Sequence, residues 1–295
     1  MGLSVPKHLL GPQNANYEKM LKKSFEKGYP FVSPLGLVIT VTCRCDTECI
    51  YCPYQKGTLN MYNNDLEPHL AEHMLKDFKN FGGKFVRFTG GEPMLYPFLS
   101  ELVKISNDLG LHTTIVTNGK KLQREHFPWL SKLSAITLSV DSLNDAIARQ
   151  CRGISTETYK EKIDLLLELR KKCPEIWIGI NCVIHKWNIN TIPSTVCTLS
   201  EKGIPVQFQP VHSFDNDENI INIPEEYYIN WLEDTLVYLK KQGKLINNST
   251  FYLHNLANFL REGKLENEDC SAGYFQLIVD PDSALRFCCM MPPFA

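Results

Sequence analysis

The chain of 295 residues carries no surplus of either charge: 31 lysines and arginines stand against 33 aspartates and glutamates, a formal net charge of −2. A nucleic-acid or anionic-membrane partner is therefore not expected, because either role would show as a basic excess. No apolar run approaches the roughly 18 residues of a membrane span. The opening residues, MGLSVPKHLLGPQ, contain no apolar core of a secretory signal. Pro6 stands where a myristoylation pattern needs Ser or Thr. There is no internal repeat and no low-complexity tract. Cysteine, at 11 residues, is too scarce for a small disulfide scaffold, which carries roughly 8–10%. A chain this long also buries enough surface to fold without staples. These absences leave a globular cytoplasmic protein in a reducing compartment. Clustered thiols there bind metal more often than they pair.

The cysteines are unevenly placed. Cys43, Cys45, Cys49 and Cys52 lie within ten residues, and Cys270, Cys288 and Cys289 lie near the end. Cys151, Cys173, Cys182 and Cys197 are scattered and read as small core residues. Eight histidines show no ligand-like spacing; His69 and His73 share a helix face, but a polar one.

Periodicity and Gly/Pro punctuation predict a leading helix near Tyr17–Glu26 and then an alternation of strands and helices. Strands are expected at Leu37–Val41, Lys84–Thr89, His112–Thr117, Ala135–Val140, Ile176–Ile184 and Pro205–Phe208. Helices are expected at Leu66–Phe81, with Leu70, Met74, Leu75 and Phe78 on one face, and at Phe98–Leu109 and Leu122–Leu130. Further helices are expected at Thr156–Lys172, with Leu165–Leu167 as its core face, and at Ile192–Lys202. Such alternation implies parallel strands joined by right-handed crossovers. Six steps make a partial (β/α)6 barrel or open curved sheet, short of the eight that close a full barrel. Ligands in such sheets sit at the C-terminal ends of the strands. Residues 1–34 read as an N-terminal extension, 35–211 as the partial barrel, and 212–269 as a linker with helices at Pro224–Lys241 and Phe251–Arg261. The end, 270–295, reads as a small α+β region with a hairpin turning at Asp280–Ser283.

Cys45, Cys49 and Cys52 have C-x3-C-x2-C spacing in the loop leaving the first strand. Three thiolates this close can wrap a compact metal centre. Zinc would want a fourth ligand. A [4Fe–4S] cluster held by three cysteines keeps one iron open. The second strand runs directly into Gly90-Gly91-Glu92-Pro93. Two glycines let backbone pass close to a ligand, and Glu92 offers a carboxylate to a cation such as an amino group.

The two motifs, in this order, resemble the radical S-adenosylmethionine (SAM) superfamily, with Tyr51 as the aromatic before the third cysteine. The resemblance implies that Cys45, Cys49 and Cys52 ligate a [4Fe–4S] cluster whose open iron chelates SAM. It implies that Gly90, Gly91 and Glu92 hold the methionine amino end and that Tyr51 lies against the adenine. Asn118, in the Thr117-Asn118-Gly119 stretch, also matches the family pattern. Ser139 would contact the ribose, Arg152 the SAM carboxylate and Asn181 the adenosine end. The plain alternatives are that Ser139 and Asp141 cap a helix starting near Asn144, and that Arg152 is a solvated arginine. The implied reaction is reductive cleavage of SAM, with a 5′-deoxyadenosyl radical taking hydrogen from substrate, and it needs an electron donor such as flavodoxin or ferredoxin.

Cys270 and Cys288, with a hairpin between them, resemble the start of a SPASM or twitch module, which implies an auxiliary [4Fe–4S] cluster. Ser283 stands where that family usually has glycine, and no C-x2-C follows Cys289. A truncated chain or an incomplete site is the expectation. The 34 residues before the first strand look too few for a leader-recognition domain. The resemblance favours a peptide substrate undergoing epimerisation, crosslinking or oxidation. A sugar, aminocyclitol or cofactor precursor is the alternative substrate. A non-catalytic, zinc-type metal scaffold is the rival from another class.

Overall fold

The computed structural model describes residues 14–27, 32–52, 65–211, 226–262 and 273–288. Six parallel strands follow in sequence: β1 (Gly36–Thr42), β2 (Phe85–Gly90), β3 (His112–Thr117), β4 (Ala135–Ser139), β5 (Trp177–Ile184) and β6 (Val206–Pro210). Helices α1 (Asn14–Lys27), α2 (Pro68–Asn80), α3 (Leu99–Asp108), α4 (Phe127–Leu130), α5 (Asp145–Arg152), α6 (Thr156–Lys172) and α7 (Ile192–Glu201) precede or connect them. Then come α8 (Glu226–Lys241), α9 (Thr250–Glu262) and the short strands β7 (Gln276–Val279) and β8 (Leu285–Arg286). The sheet is open, with order β6-β5-β4-β3-β2-β1-β7-β8. The mostly parallel α/β sheet expected from periodicity is therefore present. The C-terminal hairpin, expected as a separate appendage, instead extends the sheet: β7 pairs in parallel with β1, Gly36 to Gln276 through Ile39 to Val279, and β8 closes back on β7 antiparallel.

The chain divides into two compact units. The first holds Met1–Arg44, Asn63–Ile115 and Asn267–Ala295. Its centre is β1, GLVITVT, buried at every position, as a strand covered on both faces must be. α2 starts with Pro68, whose missing N–H costs nothing at a first turn. It buries Ala71, Leu75 and Phe78, one step round from the expected face. α3 buries Leu99, Leu102 and Val103.

The second unit holds Cys45–Tyr62 and Val116–Glu266. Within it, β4, β5 and β6 run in register, so that Ser139 faces Asn181 and Asn181 faces Gln207. The outer edge of β6 is not left bare. Val206 N–H bonds Leu245 O, and the Asn248 side chain both accepts from Phe208 N–H (2.6 Å) and donates to Phe208 O (3.1 Å). An exposed strand edge invites unwanted pairing, and this segment removes it. α8 and α9 are tied by Glu233, which accepts from Arg261 at 2.6 Å and lies 2.5 Å from His254 Nδ1. Residues 122–130, expected to be one helix, form a single 3-10 turn and then the four-residue α4, with Pro128 unable to donate into a continuous ladder. Cys270 and Cys289 lie outside the described residues.

Candidate active site

The cysteine loop of the second unit is organised by its own hydroxyl. Thr47 Oγ1 lies 3.1 Å from Cys45 Sγ and 3.7 Å from Cys49 Sγ. Asn118, just past β3, donates from Nδ2 to Asp46 Oδ1 at 2.8 Å and reaches Cys45 Sγ at 4.0 Å. Lys120 Nζ caps the Asp46 carbonyl at 2.5 Å, and its own backbone N–H bonds Asn118 Oδ1. The loop is thus held by the turn after β3. It is also held by α5, because Ile50 N–H bonds Cys151 O at 3.1 Å. Cys49 is buried, and Cys45 and Cys52 are half-buried; none of the three is in a disulfide.

A second cluster lies behind Cys49. Arg152 ends α5, directly before Gly153, whose left-handed φ of 67° terminates that helix. Its guanidinium grips Asp141 by two bonds, Nε to Oδ2 at 2.7 Å and Nη2 to Oδ1 at 3.0 Å. The third nitrogen reaches Cys49 Sγ at 3.8 Å. Tyr51 donates to Asp141 Oδ2 at 2.5 Å, and the Arg152 charge sits 5.4 Å from the centre of the Tyr51 ring. Val183 N–H bonds Asp141 Oδ1 at 3.0 Å, which ties the cluster to β5. His185 is fully buried between the Tyr51 and Trp187 rings, with Nε2 3.9 Å from Asp141 Oδ2.

Burial alone would raise the Asp141 carboxyl, but the Arg152 charge and the bonds to it outweigh that and hold it well below the usual carboxylate range. Burial, reinforced by Asp141, raises the Tyr51 hydroxyl. Arg152 is therefore not a solvated arginine; its side chain is 9% exposed and fully committed. Asp141 is not a helix cap either. Asn144 is the cap of α5, accepting from Ile147 N–H at 3.3 Å.

In the first unit, the two glycines have a structural task. A Cβ on Gly90, at φ 155°, would stand 2.3 Å from Thr42 O, and one on Gly91 would stand 2.3 Å from Arg44 O. Gly91 and Glu92 N–H groups bond Thr42 O and Arg44 O, each at 2.7 Å. The loop after β2 is thereby stitched to the end of β1. Glu92 is buried and accepts from Met94 N–H at 3.0 Å. Arg44 is held by a bidentate pair with Asp65 (3.0 and 2.6 Å). Cys43 is half-buried. Burial and the nearby Asp280, Asp282 and Asp65 push its thiol up to about 12.

Among the described residues, no three His, Cys, Asp or Glu side chains converge on a single point. A lone zinc ion gathers its ligands at about 2.0–2.3 Å, whereas a four-iron cluster gives each thiolate its own iron. Three cysteines spaced along one loop and outside any disulfide, with Thr47, Asn118 and Arg152 reaching the Cys45 and Cys49 sulfurs, fit the cluster. Hydrogen bonds to sulfur of this kind tune such centres.

The sequence model of the radical SAM superfamily matches residues 39–196. The chain belongs to the radical SAM superfamily. It is 26% identical over 179 residues to the PqqA peptide cyclase of Bradyrhizobium diazoefficiens, covering 60% of this chain and 46% of that one. It is 29% identical over 173 residues to the Fe-coproporphyrin III synthase of Methanosarcina barkeri, covering 57% and 42%. The chain thus spans about half the length of these curated relatives. Among solved structures, Streptococcus suis SuiB bound to S-adenosylmethionine superposes with a TM-score of 0.71 at 21% identity, covering 94% of this chain and 64% of that one. That likeness shows the radical SAM fold. The matched segment of this radical SAM chain carries the cysteine loop, Gly90–Glu92, Asn118, Ser139, Arg152 and Asn181. Ser139 and Asn181, both buried, sit side by side in the β4–β5 register. Sequence reasoning missed Asp141 as a hub, along with Thr47, Asp46 and His185. The one available signal was an aspartate directly after a strand. No helix among the described residues is long and apolar enough to cross a membrane.

Proposed function

We propose that this chain reductively cleaves SAM and removes a hydrogen atom from a peptide substrate, in a post-translational modification. The observation that carries the reading is the loop of three cysteines outside any disulfide, braced by Thr47, Asn118 and Arg152. A [4Fe–4S] cluster with SAM, when bound, supplies one-electron cleavage of the sulfonium and hydrogen-atom abstraction. The chain's own residues do the rest. Cys45, Cys49 and Cys52 would ligate three irons. Arg152, neutralised on one side by Asp141, leaves its remaining nitrogen to the Cys49 sulfur and so offsets negative charge there. Gly90, Gly91 and Glu92 would receive the SAM amino end, with Glu92 as the anionic partner. Asn118, Ser139 and Asn181 offer buried polar groups suited to adenosine. Tyr51, Val183 and Trp187 make the rear wall apolar and keep water out. An outside donor such as flavodoxin or ferredoxin would supply the electron.

The peptide reading is supported by the PqqA peptide cyclase likeness and by SuiB, which is also solved with its precursor peptide SuiA. The synthase likeness favours the second reading, a cofactor precursor as substrate. Half-buried Cys288 follows β8 and remains the described candidate for an auxiliary cluster with Cys270. The test is anaerobic reconstitution followed by SAM and dithionite. A brown, oxygen-sensitive protein yielding 5′-deoxyadenosine is expected. A colourless zinc protein that leaves SAM intact overturns the reading. Mass change in a short peptide encoded beside the gene, set against change in a small molecule, separates the two substrates.

A further inference from the structure

Arg87 lies in the middle of β2, in the first unit, and the mechanism above does not use it. Successive residues of a strand point to opposite faces. One face of β1–β3 carries Ile39, Val41, Val86, Phe88 and Ile115, all buried and apolar. The other carries Phe85, Arg87 and Thr89 on β2, flanked in register by Val38 and Thr40 on β1 and by His112 and Thr114 on β3. At the N-terminal end this second face is closed by the stacked Phe85 and His112 rings, 5.5 Å apart. Above the stack the lining turns polar, and Arg87 is its first charged group.

The arginine is not satisfied there. Its Nε is buried with no hydrogen-bond partner, and among the described residues Arg87 forms no ion pair. Burial lowers it to about 10, with no carboxylate acting against that. Elsewhere in the same unit, arginines are paired: Arg44 with Asp65 and Arg286 with Asp280. Arg87 as a whole is half-buried, but a buried Nε without a partner is still costly, and an apolar residue of similar volume would avoid that cost. A planar fork of donors with threonine hydroxyls around it, on the strand that ends in Gly90–Glu92, matches a carboxylate or a phosphate.

We propose that Arg87 is the recognition point for an anionic oxygen group of the substrate, a carboxylate or a phosphate, entering from the C-terminal ends of the strands. It deepens the proposed function, resting on that reading's assignment of Gly90–Glu92, at the C-terminal end of β2, to SAM.

The test is thermal unfolding of the anaerobically reconstituted full chain, titrated with inorganic pyrophosphate or with glutarate. The wild type should show a saturable rise in Tm with one of the two, about 5 °C at a hundredfold excess over Kd. The responding anion distinguishes a phosphate from a carboxylate source. Arg87→Gln and Arg87→Met should lose the response, Arg87→Lys should keep part of it, and Arg87→Met should be at least as stable as the wild type without anion. No response in the wild type to either anion, or an equal response in all four proteins, overturns the proposal. Formation of 5′-deoxyadenosine is measured separately. A chain that cleaves SAM but shows no Arg87-dependent response refutes this anchor alone.

Discussion

Replacing Asp141 by asparagine leaves the Arg152 guanidinium buried against a neutral amide. The magnitude follows from the geometry. The two side chains are 9% and 1% exposed and share two short bonds, so no discount for solvent applies. Two unit charges at about 4 Å interact by about 4 kcal/mol at an effective dielectric of 20. Removing one partner of a buried pair costs about 3–5 kcal/mol by experience. The two figures agree. Asparagine keeps one acceptor oxygen, so it can accept from Val183 N–H or from Tyr51 but not from both, and the loss reports the charge together with one hydrogen bond. Urea unfolding of Asp141→Asn should show a loss near 3 kcal/mol, equivalent to roughly 5 °C in Tm. The double variant Asp141→Leu/Arg152→Met removes both charges and should lose less than the sum of the two single variants by about 2 kcal/mol. Additive losses would refute the pairing argument. The pH dependence gives a second check. The folded-state carboxyl lies below its unfolded value, near 3.9. Its contribution is therefore fully present above about pH 4 and drains away as the pH falls further. The wild type should lose its margin over Asp141→Asn in that window. A constant margin down to pH 2 would contradict the assigned cause.

Single Cys→Ala changes at 45, 49 or 52 should each abolish iron binding. Cys43→Ala should retain about four irons per chain, a result read by iron assay and visible absorbance. Gly91→Ala drives a methyl against Arg44 O and should destabilise by roughly 2 kcal/mol or more in urea; a neutral result would mean that the backbone bonds there do not set the spacing. Tyr51→Phe removes the 2.5 Å bond to Asp141 and should cost about 1–3 kcal/mol while leaving iron content intact. If the C-terminal cysteines begin an auxiliary site completed only in a longer chain, this chain should hold about four irons and the longer one about eight; eight irons here would sink that idea.

How far the fold is legible in the sequence depends on the range of the forces involved. β1 and α6 follow directly from local pattern, because the short, mostly β-branched run Leu37–Val41 and a Ser155-capped amphipathic helix leave few alternatives. The breakdown of residues 122–130 traces to Pro128 and short-range turn chemistry that a hydrophobic pattern does not register. The placement of β7 is less accessible still. QLIV reads as a hairpin arm, and nothing local states that its other edge will pair with β1 in parallel. Register between segments separated by more than two hundred residues is a tertiary choice, made by which buried edge lacks a partner.

The same contrast runs through the site. Residues whose role depends on spacing within one loop, such as Cys45, Cys49 and Cys52, stand out from the sequence alone. Residues whose role depends on a distant partner do not. Arg152 is visible there as an arginine preceding a glycine, and its expected partner is a carboxylate on SAM. The structure supplies a carboxylate from the chain itself, Asp141, on the turn after β4. That difference has a consequence for catalysis. An arginine reserved for the ligand would be paired only when SAM is bound and would be free to move without it. An arginine clamped by Asp141 is fixed in advance, with Tyr51 and Val183 N–H fixing the clamp in turn. Its remaining nitrogen then points at Cys49 with the clamp alone to hold it. Preorganised charge of this kind needs no rearrangement at the moment of reaction. Asp141→Asn should therefore shift the midpoint potential of the reconstituted centre even without SAM, because Arg152 loses the partner that holds it against the sulfur. A midpoint that moves only when SAM is added would place Arg152 on the ligand, and the clamp would then be a matter of stability alone.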